Sequence, residues 1–204
     1  MSTAAISKVA TVAELRDQVL APKGFAPEYV RRMLHDVPDL PIVPDRNAYL
    51  LAKVADKIVL DLGCTGQISE NIRKTAKGYY GVDVTPGDWV SLDMDEQPDQ
   101  LPVYSDVTLI VMSELLEHLT NPGRCLRAIK ALYPTLPILI TVPNAGAYTV
   151  VNRCEMVNRD HVAWYSYSTL KRLLEKTGYV GYEMRWYHGQ PHKAEGLIVT
   201  ARPA

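Results

Sequence analysis

Short apolar runs rich in β-branched residues recur at 57–62, 79–83, 107–112 and 137–142, separated by segments with apolar residues at helical spacing. That alternation predicts strands and helices in turn, the signature of βαβ units in a parallel sheet. Residues 107–112 are nearly uninterrupted in their hydrophobicity, as a strand buried on both faces requires. Asn121 followed by Pro122 predicts a capped helix start running on through Tyr133. Ser168 and Gly178 predict the cap and the close of a helix over 168–176. A turn at 85–88 leads to a further strand over 89–95, which ends in acids. The last two runs, 180–186 and 196–201, are joined by a connection too short for a crossover helix, so the final strand is expected to run antiparallel.

Ahead of these runs, 12–20 and 27–35 carry helical periodicity, and Pro38, Pro41 and Pro44 break the chain up before Asp45. At 204 residues the chain suits one α/β domain over 47–204 preceded by a helical extension over 1–46. With 22 basic and 23 acidic residues and no basic run longer than a pair, nothing marks a nucleic-acid footprint. Cys64, Cys125 and Cys154 are odd in number and lack C-x-x-C spacing, which argues against a disulfide framework or a zinc knuckle. No secretory leader and no apolar run of membrane-spanning length is apparent, so a cytoplasmic protein without membrane insertion is expected.

The segment 57–83 carries the first chemistry. An apolar run, a turn with Gly63 and Gly66, a helix, a second run and a terminal acid read as a βαβ unit opening a nucleotide site. Asp83, roughly 20 residues past the turn, is placed to accept hydrogen bonds from two ribose hydroxyls. A dinucleotide fingerprint would need glycines where Thr65 and Ile68 stand, so pyrophosphate binding is disfavoured and an oxidoreductase reading with it. A ligand with adenine and ribose but no phosphate needs less bare backbone, and S-adenosylmethionine is such a ligand.

Asp61-Leu62-Gly63-Cys64 followed by Gly81-Val82-Asp83 resembles motif I and the ribose-binding acid of the class I S-adenosylmethionine-dependent methyltransferases. The family pattern is acid-x-G-x-G-x-G; here Thr65 and Gln67 take the second and third glycine positions, and Gly66 is displaced by one. The resemblance implies an α/β, Rossmann-like fold with a seven-stranded, mostly parallel sheet, an antiparallel last strand and helices on both faces. It also implies a cofactor site lined by Asp61, Gly63, Cys64, Gly66, Asp83, Val84, Asp93, Met94 and Ser113, with Asp93 and Met94 at the adenine. The extension over 1–46 would then be a lid over the cofactor or a packing appendage.

Glu114, Glu117 and His118 follow the strand at 107–112 and would share one face if the segment is helical. Glu-x-x-Glu-His with a later Asp160-His161 is similar to the pattern of two metal-assisted groups of O-methyltransferases, one acting on ubiquinone intermediates and one on the terminal ribose of small RNAs. Carried over, Glu114, Glu117, His118 and His161 would hold one divalent ion, Mg²⁺, Mn²⁺, Fe²⁺ or Zn²⁺. Two other readings stand beside it: a metal-free base, His161 or His118, with Glu114 at the same catalytic group, and a purely structural role.

Aromatic residues Tyr148, Trp164, Tyr165, Tyr167 and Tyr187 would surround the mouth, with His188 and His192 in the last hairpin facing solvent. The sequence thus points to methyl transfer onto an oxygen of a small molecule or glycan precursor. An inactive cofactor-binding homologue and an RNA ribose 2′-O-methyltransferase are the alternatives. The oligomeric state stays open.

Overall fold

The computed structural model describes residues 38, 40–144, 160–188 and 195–204. Most of the predicted extension lies outside these residues, as do much of the long loop with Tyr148, and the hairpin tip with His192.

The strands are β1 (Ile42–Val43), β2 (Ile58–Leu62), β3 (Gly78–Asp83), β4 (Val90–Ser91), β5 (Leu109–Ser113), β6 (Ile138–Pro143), β7 (Tyr179–Tyr187) and β8 (Gly196–Pro203). The helices are α1 (Arg46–Val54), α2 (Gln67–Thr75), α3 (Pro122–Leu132) and α4 (Tyr167–Thr177). One eight-stranded sheet runs in the order β1-β7-β8-β6-β5-β2-β3-β4. β8 is antiparallel to both β6 and β7, and the remaining pairs are parallel.

The sheet thus has the expected mixed topology and gains an eighth strand, β1, against the edge of β7. Its two residues sit between Pro41 and Pro44, where a sheet edge tolerates residues that cannot donate to a ladder. β4 is shorter than the predicted 89–95 because Asp93 starts a turn: its Oδ1 accepts the amides of Asp95 and Glu96 at 2.9 and 3.2 Å.

Alternation along the strands sends side chains to two apolar layers. Val59, Val111, Leu139 and Ile198 pack with Leu50 and Val54 of α1 and Ile72 of α2. Leu60, Leu62, Ile110, Met112 and Ile140 pack with Leu126 and Ile129 of α3 and Leu170 and Leu174 of α4. Helices therefore cover both faces, and each such fully buried aliphatic side chain contributes roughly 1.5–3 kcal/mol over exposure.

Helix starts follow local chemistry. Asp45 Oδ1 accepts the Ala48 amide and Asn121 Oδ1 that of Arg124, both at 3.0 Å. The cap of α4 is Ser166 and not Ser168, because Ser166 and Thr169 bond each other's backbone reciprocally. Gly178 closes α4 at φ +80°, as predicted. Among the described residues no helix is long and apolar enough to cross a membrane.

Candidate active site at the sheet rim

Parallel strands β2, β3, β5 and β6 end on one edge, where ligands of open α/β sheets bind. At the β2–β3 end, Gly63 adopts φ +76°, and a Cβ there would lie 3.1 Å from Leu115 Cδ1. Both constraints call for glycine. The amides of Gly63 and Cys64 donate to the Val82 carbonyl at 2.8 and 3.2 Å, which folds the loop over β3. Gly66, at φ +92° with open space beside it, precedes α2, whose first turn has no side-chain cap.

Asp83 closes β3, nearly buried. Its Oδ1 accepts the amide and hydroxyl of Thr85 at 2.8 and 2.6 Å, and its Oδ2 accepts the Thr65 hydroxyl at 3.2 Å. Thr65, at the second glycine position of the motif, therefore donates to the very acid that the sequence assigns to the ribose. Asp61 lies beneath the rim, fully buried, with Tyr79 donating to Oδ2 at 2.9 Å and, among the described residues, no partner on Oδ1. Burial pushes its pKa up to about 6 despite the Tyr79 hydrogen bond.

The other predicted cofactor residues fall in different settings. Cys64 is buried against Gly81, and burial, then the charges of Asp61 and Asp83, push its thiol up to about 12. Val84 is exposed, Met94 is buried in the core, and half-buried Asp93 spends Oδ1 on the turn that it caps. Ser113, at the end of β5, shares a 3.1 Å hydrogen bond with Thr141.

The β5 end holds a second constellation. Residues Leu116–His118 form a single 3₁₀ turn, and Glu114 lies outside it in the left-handed region at φ +55°. The expected common helical face is therefore absent, and the two glutamates diverge. Glu114 Oε1 accepts from Thr141 Oγ1 at 2.7 Å and from Tyr187 Oη at 3.2 Å, and it pairs with Arg46 Nη1 at 3.2 Å. Glu117 is 1% exposed, and among the described residues neither carboxylate oxygen has a hydrogen-bond partner. Burial, then the neighbouring Glu114 charge, pushes Glu117 up to about 8.

Glu117, His118 and His161 each place a ligand atom within 4.8 Å of the others. The two imidazole rings meet edge to face with centroids 4.8 Å apart. His118 Nδ1 lies 3.1 Å from the Asp160 carbonyl; since a carbonyl only accepts, Nδ1 carries a proton, and in the neutral ring Nε2 is the nitrogen with the lone pair. Burial, then the charge of His118, lowers His161 below the usual imidazole value. The Glu117 carbonyl, accepting the amides of Val162 and Ala163 at 2.8 and 3.0 Å, draws the loop strand that bears His161 onto this turn.

Of the aromatic residues, Trp164 meets His161 edge-on at 5.8 Å, and Tyr187 reaches Glu114. Tyr165 is core, donating to the Leu116 carbonyl at 3.2 Å, and Tyr167 packs partly buried against the same layer. His188 does not simply face solvent: it accepts the Arg46 amide at 3.3 Å on Nε2 and pairs with Glu195 at 2.8 Å on Nδ1. Sequence reasoning missed Arg46, Thr141 and Thr85, whose contacts with the site acids are set by the fold. Only Thr65, as a departure from the glycine pattern, left a signal.

The sequence matches a family described as a methyltransferase domain over residues 31–183. The chain belongs to the methyltransferase-domain family. No curated protein matches it. Among solved structures, this methyltransferase is similar to the small RNA methyltransferase HEN1, with TM-score 0.62 and 18% identity over 78% of this chain and 25% of that one. An S-adenosylmethionine-dependent methyltransferase from Archaeoglobus fulgidus gives TM-score 0.56 and 18% identity, covering 91% of this chain and 93% of the other. A Burkholderia thailandensis 1,6-didemethyltoxoflavin-N1-methyltransferase, solved with its substrate and S-adenosylhomocysteine, gives 0.56 and 16%, covering 97% and 92%. At these identities the likeness is one of fold.

Proposed function

We propose that this methyltransferase moves the methyl group of S-adenosylmethionine to an oxygen of a small molecule or glycan precursor, aided by one divalent ion. Bound S-adenosylmethionine supplies an already activated sulfonium methyl, so the demand on the protein lies in orienting and deprotonating the acceptor. Asp83 would hold the ribose hydroxyls, with Thr85 fixing one oxygen and Thr65 leaving room on the other for a further donor. The first amides of α2, free of side-chain caps, suit the methionine carboxylate. Asp93 keeps Oδ2 for the adenine side.

The observation that carries the acceptor side is the Glu117 carboxyl group, buried beside two imidazoles with no donor among the described residues. An unpaired buried carboxyl group costs about 1–3 kcal/mol, and a cation, by favouring its ionised form and pairing with it, would remove that cost. Glu117, His118 and His161 fit such an ion, since the Asp160 carbonyl orients the His118 ring and burial favours the neutral form of His161. When bound, the ion would lower the pKa of an acceptor hydroxyl. Trp164 beside His161 offers a flat face for the acceptor.

A second reading, the ribose 2′-hydroxyl of RNA, is favoured by the same carboxylate-imidazole group and opposed by the balanced charge of the chain. The test is methyl transfer from labelled S-adenosylmethionine to hydroxylated small molecules, glycan precursors and short RNA, with and without chelator. The expected result is label in a small acceptor, lost on chelation and regained with Mn²⁺. Label confined to RNA would replace the first reading with the second. Turnover indifferent to chelation would remove the ion.

A further inference from the structure

The divergence of the two glutamates carries more than the position of a site. Glu114 Oε1 is saturated by three donors, Thr141, Tyr187 and Arg46. Three residues on, Glu117 has none. Resting on the metal reading above, we propose that Arg46 fixes the protein ligand set at three, Glu117, His118 and His161, by keeping Glu114 as its own counter-ion.

Arg46 is held for this task. It is the first residue of α1, its amide bonds His188 Nε2 at 3.3 Å, its Nε donates to Asn47 Oδ1 at 3.2 Å, and its guanidinium lies 5.5 Å from the Tyr187 ring centroid. The same Tyr187 sends its hydroxyl to Glu114, so ring and hydroxyl together align the ion pair. On the other side, Glu114 stands in the left-handed region, and the Thr141 hydroxyl, which also accepts the Glu114 amide at 3.2 Å, holds its carboxylate against β6. Glu114 is still near enough for its charge to be felt at Glu117 and His161. It is close to the group without belonging to it.

For Glu114 Oε1 to reach an ion it would have to leave three donors and strand an arginine side chain that is only 20% exposed. That exchange removes three charge-assisted hydrogen bonds, a loss that a fourth protein ligand would first have to offset. Two imidazoles and one carboxylate form instead a three-residue set with open positions for acceptor and water. Such a set favours Mn²⁺, Fe²⁺, Co²⁺ or Zn²⁺ over the oxygen-seeking Mg²⁺.

Co²⁺ titration, followed by calorimetry and by the visible absorption of the bound ion, tests this without a turnover assay. The variants are Glu114→Gln, Glu117→Gln, Arg46→Met, Arg46→Lys and the double variant Arg46→Met with Glu114→Gln. Thermal unfolding of each certifies the fold. The wild type is expected to bind one Co²⁺. Glu114→Gln should change its affinity by less than about threefold and leave the absorption unaltered, whereas Glu117→Gln should weaken binding by at least about 100-fold. Arg46→Met should alter the absorption as Glu114 joins the ion; adding Glu114→Gln should reverse it, and Arg46→Lys should resemble wild type. A Glu114→Gln loss as large as that of Glu117→Gln, or an Arg46→Met spectrum like wild type, overturns the proposal while leaving the ion in place. A wild type that binds no Co²⁺ overturns the metal reading itself.

Discussion

The adenosine end and the acceptor end of the rim treat their acids in opposite ways. Asp83, at the first, meets three hydrogen-bond donors from Thr85 and Thr65 before any ligand arrives. Glu117, at the second, is more deeply buried and meets none. A satisfied carboxylate can exchange weak hydroxyl partners for a ribose at little cost, and its fold does not depend on the ligand. An unsatisfied one is a standing penalty retained in the fold, the kind of feature found where function outweighs stability. The contrast supports the proposal that one end binds reversibly and the other carries the chemistry.

The largest expected effect falls on Glu117. Glu117→Met should reduce turnover by about 1,000-fold, since ion-assisted activation is worth several kcal/mol, yet it should raise the melting temperature of the ligand-free protein. A variant that loses both activity and stability would mean that Glu117 has a partner in solution, and the contrast would fail.

Asp61 sharpens the comparison from beneath the cofactor end, because it is buried with one oxygen unpartnered. Its pKa is raised from 3.8 to about 6, so the folded protein holds this proton more tightly than the unfolded chain. Its stabilising contribution is therefore full below the lower value and is lost as pH rises through the upper one. The total is roughly 3 kcal/mol at most. Asn at this position keeps an acceptor for Tyr79 and removes the proton. Thermal unfolding from pH 4 to 7 should show wild type falling relative to Asp61→Asn, and parallel curves would place the Asp61 carboxyl in contact with water.

Asp83→Ala should weaken S-adenosylhomocysteine binding by about 1–3 kcal/mol in calorimetry, the value of a charge-assisted hydrogen-bond pair. Unchanged affinity would contradict the ribose assignment. The smallest effect is at Thr65, whose 3.2 Å bond to Asp83 would compete with a ribose placed there. Thr65→Gly should tighten binding by no more than about 1 kcal/mol, and a loss of affinity would make the hydroxyl a ligand contact instead.

The sheet was legible because its central strands are buried on both faces and must be written as apolar runs, as at Leu109–Ser113. β1 was not, because two residues between prolines carry no periodicity. For α4, two serines competed for one cap, and the reciprocal bond with Thr169 decided for Ser166. At the site, the sequence brought Glu117, His118 and His161 together by resemblance, and the fold gathers these three. The common face of Glu114, Glu117 and His118 depended on a regular helix, and a left-handed residue ahead of a 3₁₀ turn does not meet that condition. Arg46 was invisible: its partner Glu114 is distant in the chain, and no local pattern encodes such a pairing.

The most direct test of the central claim is a crystal of the protein grown with S-adenosylhomocysteine and Mn²⁺, with anomalous scattering recorded at the manganese edge. The account predicts the ribose hydroxyls on Asp83 and one anomalous peak bounded by Glu117, His118 and His161. Nucleoside density away from Asp83, with Thr65 and Thr85 still its sole donors and no peak beside Glu117, would contradict it.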